Sequence, residues 1–177
     1  VMRVAPRELT DLIYRSCRVV GLSAGVAQRC AENVTHGEIH RGNSVSAFLD
    51  VLTQGDESVR SFATAADRLE SVEATGQVTV AFDEPVALAA LSASLEQAAS
   101  RGFVPQVGAT VPGNEISVGI DFVRHQVPDQ VRRDAAAREY QAMSEGLVFA
   151  VEQLQALESS AARFLVAESF IDSVVGE

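Results

Sequence analysis

The chain has 177 residues, of which 47% are hydrophobic, 21% charged and 6% aromatic, with 12 Gly, 5 Pro and no Trp. This composition fits one globular domain and excludes a disordered or collagen-like chain. A net charge of −10 argues against a nucleic-acid surface, and because all 14 basic residues are Arg, Schiff-base chemistry and the P-loop lysine are excluded as well.

Arg3, Arg7, Arg15 and Arg18 run through residues 2–20, so no apolar leader core is expected there. The longest apolar stretch, around 86–95, contains Ser92 and Ser94 and is too short to span a bilayer. Cys17 and Cys30 read as small buried hydrophobes, reduced in a cytoplasmic setting.

The first predicted helix opens at Pro6 and ends near Gly21, with Leu9, Leu12, Ile13, Cys17 and Val20 on one face. Ser23 is placed to cap a second helix through Ala27, Cys30, Ala31 and Val34. Gly37 and Gly42 then predict an irregular segment over 36–43. Ser44 starts a third helix with Val45, Phe48, Leu49 and Leu52 inward, stopped by Gly55. The polar stretch 56–67 has room for one further helical turn.

The apolar period then changes. Val78, Val80 and Phe82 alternate with polar or small residues as in a half-buried strand, with 69–75 as its expected hairpin partner. Pro85 is expected to open a helix carrying Leu88, Leu91, Leu95 and Ala98, closed by Gly102. A strand over 103–110, a turn at Pro112-Gly113-Asn114 and a strand through Ile116, Val118, Ile120 and Phe122 follow. Pro128-Asp129 starts the C-terminal helices, with Val131, Ala135, Tyr140 and Met143 inward and a break at Gly146. Leu147, Val151, Leu154, Glu158, Ala161, Leu165 and Glu168 then recur at helical spacing. The expected architecture is α+β: N-terminal helices, a small four-stranded mixed sheet in the order strand-strand-helix-strand-strand, and a long C-terminal helical region. It is read as a single domain over 1–177, with a helical segment 6–55, an α+β segment 67–124 and C-terminal helices 129–172.

Chemistry-bearing residues concentrate in segment 36–43, which holds His36, Glu38, His40 and Arg41 between glycines. On a continuous helix His36 and His40 would share a face at a metal-compatible spacing. The two glycines argue for a loop, Glu38 is expected to point away, and HExxH needs its Glu directly after the first His. No metal site is predicted. His125 is expected as a solvated strand-end residue. Glu70, Glu73, Asp83 and Glu84 are expected to form the polar face of a hairpin. Arg132, Arg133 and Arg138, beside Asp134 and Glu139, are expected in surface ion pairs.

Gly21-Leu22-Ser23, the Ala-rich run 27–34, the glycine spacing 37–42 and Leu52-Thr53-Gln54-Gly55 carry a family likeness. Residues 9–55 resemble the N-terminal helical segment of the malate/L-lactate/ureidoglycolate dehydrogenase family, the non-Rossmann NAD(P)-dependent type. Glu73-Ala74-Thr75-Gly76-Gln77-Val78, helix 85–101 and Gly102-Phe103-Val104 resemble it in order. The tail 162–169 is similar to that of a small uncharacterised bacterial family related to these enzymes, which is the closer kinship.

The resemblance implies NAD or NADP as cofactor and a catalytic histidine in a Ser-His-Gly loop. That tripeptide falls on His40-Arg41-Gly42, so Arg41 stands where the histidine is expected. A guanidinium does not shuttle protons near neutral pH. The first expectation is therefore a non-catalytic or repurposed dehydrogenase-like scaffold. It would act as a binding or assembly subunit, homo-oligomeric through helix 147–170 or joined to another protein subunit. The alternative is an enzyme or sensor for a 2-hydroxy or 2-oxo acid. His40 would be its acid/base and Arg41 its carboxylate anchor, with His36 and His125 as further ligand candidates.

Overall fold

Pro6 opens α1 (Pro6–Val19), where its missing N–H costs no helical hydrogen bond. Leu9, Leu12, Ile13 and Cys17 follow at helical spacing and are all buried. At Ser23, the Oγ accepts the Val26 N–H at 3.4 Å and starts α2 (Ala24–His40). α2 packs on α1 and buries Ala27, Cys30, Ala31 and Val34. The two thiols are free and buried, and the Cys17 contact and burial together hold the Cys30 thiol well above its ordinary pKa. The computed structural model describes residues 1–69, 75, 79–106 and 116–174.

α3 (Ser44–Gln54) buries Val45 and Phe48 and ends at Gly55. The next stretch carries more than the single turn expected of it. α4 (Asp56–Thr64) and a 3-10 segment (Ala65–Leu69) form a second amphipathic unit with Val59, Phe62, Ala63 and Leu69 buried. Three apolar residues spaced three or four apart among polar ones suffice for such a stripe. Phe48 and Phe62 meet at 5.9 Å between ring centroids.

The sheet differs from the expected four mixed strands. β2 (Thr79–Ala87), β3 (Phe103–Gln106) and β4 (Ile116–Arg124) form an antiparallel sheet in the order β2-β4-β3. Leu69 closes the 3-10 segment, residues 70–74 of the expected hairpin partner lie outside the described residues, and the described partner of β2 is β4. Val80 faces Ile120 in register and Phe122 faces Pro105, which sits on the edge strand where a missing N–H is tolerated. Pro85 lies in β2 rather than opening a helix. A 3-10 turn (Leu88–Ala90) comes first, and α5 (Ser92–Ser100) then runs to Gly102, with Leu88, Leu91, Leu95 and Ala98 buried as expected. α5 packs between β3 and α2. The turn expected at 112–114 lies outside the described residues.

α6 (Asp129–Glu145) starts after Pro128, but its expected inward face is wrong. Val131, Tyr140 and Met143 are exposed, and Ala142 is the buried residue. α6 crosses α2 on a narrow contact, so small residues suffice there. Gly146, at φ +76°, turns the chain into β5 (Leu147–Phe149), which pairs antiparallel with β1 (Met2–Val4). Three-residue strands carry too little alternation to read from sequence. α7 (Val151–Val174) buries Leu154, Leu157 and Ala161 and packs on α1 of its own chain, with Leu157 inward in place of Glu158. Among the described residues no helix is long and apolar enough to cross a membrane.

Candidate functional site

Two glycines decide where the site forms. Gly37 lies inside α2, not in a loop. A Cβ there would sit 2.4 Å from Ser44 Oγ and 3.4 Å from Ser92 Cβ. Glycine therefore lets the starts of α3 and α5 close on α2 beside His36. Gly42, at φ +78°, takes the left-handed conformation that ends the helix, donating its N–H to Gly37 O at 3.2 Å and Glu38 O at 3.1 Å. The segment expected to be irregular is thus helix as far as His40, and only Arg41, Gly42 and Asn43 turn. Glu38 is also engaged: its Oε2 accepts the Val45 N–H at 2.9 Å and caps α3.

Asn33, one turn before His36, clamps α5 to α2. Its Nδ2 donates to Arg29 O at 3.0 Å and to Ser94 Oγ at 3.1 Å, and its Oδ1 accepts the Ser94 N–H at 3.0 Å. That N–H has no partner within the first turn of α5, so a side chain from α2 serves as the cap.

The clamp delivers Ser92 and Glu96 to His36. Ser92 Oγ lies 2.8 Å from His36 Nδ1 and accepts from Arg41 Nη1 at 3.2 Å. Glu96, one turn further along α5, meets the opposite ring edge at His36 Nε2. His40 stands on the next turn of α2, its ring centroid 4.1 Å from that of His36. α6 completes the group, placing Glu139 Oε1 3.3 Å from His40 Nε2 and donating from Arg138 Nε to His40 Nδ1 at 3.4 Å. The His40 side chain is only 9% exposed, against 51% for Glu139. His40 Nε2 is buried and makes no hydrogen bond among the described residues, because Glu139 approaches outside hydrogen-bond geometry.

Burial lowers the pKa of His36 from its ordinary value. The charge of His40 adds to the effect, Glu96 opposes it, and Arg41 contributes a further small lowering. In the unfolded chain His36 takes up its proton near the ordinary value of about 6.5. The folded chain takes it up only at lower pH, so the unfolded state binds more protons between the two values. Folded stability should therefore hold above about pH 6.5 and fall as the pH drops through that value toward the lowered one. Urea unfolding of the metal-free protein from pH 7.5 to 5 checks this. The His36→Asn variant should lose part of the acid-side decline, and an unchanged slope would refute the assignment.

His36, His40 and Arg41 are thus brought to one junction. His125 is not: it is exposed after β4, with its backbone N–H on Gly102 O at 3.1 Å. Asp83 in β2 pairs with Arg68 of the 3-10 segment at 3.0 Å, while Glu70 and Glu73 lie outside the described residues. The partner described for Arg133 on the surface of α6 is the neutral Gln130 Oε1 at 3.1 Å rather than an acid, whereas Arg138 and Glu139 turn to the junction. Sequence reasoning missed Ser92 and Glu96 altogether. Their signal was the four-residue spacing on a helix whose start faces Gly37, and that is visible only once α5 and α2 are known to pack.

The junction offers two imidazole nitrogens and two carboxylate oxygens, all within 4.8 Å of one another, from His36, His40, Glu96 and Glu139. Such a set can bind a cation or share protons with a polar ligand. Arg41 and Arg138 border it and can meet an anionic group. A separate open groove of about 710 Å³ between α4 and β2, floored by Phe62 and Phe82, contains none of these residues. Compared with protein-family models, curated proteins and solved structures, the chain matches none.

Proposed function

We propose that the protein is a non-catalytic binding subunit whose ligand site is the junction of α2, α5 and α6. The observation that carries this reading is His40 Nε2, buried without a hydrogen bond where three other donor atoms converge. Leaving a buried polar atom unpaired costs about 1–3 kcal/mol. A bound ligand would remove that cost. Arg41, standing where the dehydrogenase resemblance expects a catalytic histidine, ends α2 and holds Ser92. Its guanidinium suits anchoring rather than proton transfer.

The histidine rings provide a direct test. There are only three, and His125 stands outside the junction. In nitrogen-15 spectra of the full chain, His36 and His40 ring signals should move saturably on titration with pyruvate, lactate or zinc chloride, with His125 unmoved. If all three titrations leave His36 and His40 unmoved, or move His125 equally, the reading is overturned.

A further inference from the structure

We propose that His36, His40, Glu96 and Glu139 bind one divalent transition-metal ion of the zinc class. This rests on the reading of the junction as a ligand site and names the ligand.

The donor types come first. Two imidazoles and two carboxylates suit zinc and its first-row neighbours, whereas magnesium and calcium prefer sets made wholly of oxygen. Two carboxylates also neutralise a dication. Neither thiol takes part, since Cys17 and Cys30 are buried in the hydrophobic core.

Spacing comes second. His36 and His40, four apart on a regular helix, project from successive turns of one face. Metal–ligand bonds of about 2.0–2.1 Å in a tetrahedron place donors roughly 3.3–3.5 Å apart. The His40 Nε2 to Glu139 Oε1 separation of 3.3 Å already matches that edge. All four donors lie within 4.8 Å of one another, so closure needs only small movements. The two carboxylates, 45% and 51% exposed, are free to make them and leave the ion a route from solvent.

The surroundings are the third observation. A metal-bound imidazole donates its other N–H to an outer partner. His36 has one in Ser92 Oγ at 2.8 Å, a side chain from a residue only 1% exposed and itself held by Arg41. His40 differs. Binding through Nε2 moves its proton to Nδ1, which now accepts from Arg138 Nε at 3.4 Å. Two N–H groups would then oppose each other, so the exposed Arg138 side chain must swing away as the metal enters. Arg138→Met removes this opposition and should tighten binding, whereas a merely structural role for Arg138 predicts no such gain.

The experiment uses the full chain, stripped with EDTA and exchanged into a non-chelating buffer at pH 7.5. Calorimetric titration with zinc chloride should give one ion per chain, and cobalt(II) should bring visible absorption with tetrahedral or five-coordinate intensity. His40→Gln and Glu139→Gln should each weaken zinc binding, His40→Gln by at least about 100-fold, beyond the outer-partner range, and Ser92→Ala by about 10- to 100-fold. Circular dichroism and the urea midpoint of metal-free Glu139→Gln should match the parent, because that side chain lies half in solvent. No zinc or cobalt uptake by the parent chain overturns the proposal, as does uptake unaffected by both His40→Gln and Glu139→Gln. If zinc fails while pyruvate moves the His36 and His40 signals, the metal proposal falls and the ligand-site reading stands. If both fail, both fall.

Discussion

Phe48→Ala should destabilise the protein by about 3–5 kcal/mol, the range for deleting a fully buried phenyl ring. Phe48 is 0% exposed and is the largest fully buried side chain among the described residues. It is held on its far side by Phe62, tilted at 56°. The ring joins α3 to α4, and the helices around it are tied down elsewhere, so the cavity cannot collapse cheaply. A loss of this size is a large fraction of the roughly 5–15 kcal/mol that keeps a domain folded. The melting temperature should drop by on the order of 10 °C for a domain of this length. Phe48→Leu, which keeps most of the volume, should cost much less. Urea denaturation read by circular dichroism measures both. Equal midpoints for the two variants would show that the α3–α4 contact is not a packed core.

The second large effect is expected at Asn33. Asn33→Ala removes three hydrogen bonds and takes the acceptor from the Ser94 N–H. The expected loss is roughly 2–4 kcal/mol, from about 1–3 kcal/mol for the N–H left unpaired and about 0.5–1.5 kcal/mol for a lost hydrogen bond. Asn33→Asp keeps the acceptor that caps α5 but loses both donated hydrogen bonds, so it should fall between the parent and Asn33→Ala. The effect also reaches the site. Asn33 fixes the start of α5, which carries Ser92 and Glu96, so Asn33→Ala should shift the His36 ring signal even under fully folded conditions. A destabilised variant with an unmoved His36 signal would separate the clamp from the site.

Much of the helical half was legible because helices advertise their buried face over several turns. Leu9, Leu12, Ile13 and Cys17 in α1, and Ala27, Cys30, Ala31 and Val34 in α2, form stripes that read directly, and the structure buries all of them. The stripe of α4 was equally periodic but diluted by Asp56, Glu57, Ser58, Arg60 and Ser61, and a polar majority hid it. α6 misled in the opposite direction: Val131, Tyr140 and Met143 are apolar yet exposed. Sequence pattern reports which face could be buried, not whether a neighbour arrives to bury it.

The candidate site failed to read for one local reason. Gly37 carries two opposite meanings, helix breaker and close-packing residue, and nothing within the segment distinguishes them. The second meaning depends on Ser44 and Ser92 arriving from outside. Once it is adopted, His36 and His40 share a helix face. Glu96 and Glu139 lie far from them in the chain, and only the docking of α5 and α6 on α2 makes them neighbours. His36, His40 and Arg41 were therefore visible as candidates, while half of the donor set was not.

The pairing of β1 with β5, and of α1 with α7, has a consequence for the order in which the molecule can be made. On the ribosome α1 emerges well over a hundred residues before α7, which covers part of it. Until then α2 is the main cover of α1, and β1 waits for β5. Contacts of such long sequence separation form late and slow folding. The β1–β5 and α1–α7 contacts thus close late, and the nascent protein should lean most on chaperones just before residues 147–161 leave the exit tunnel.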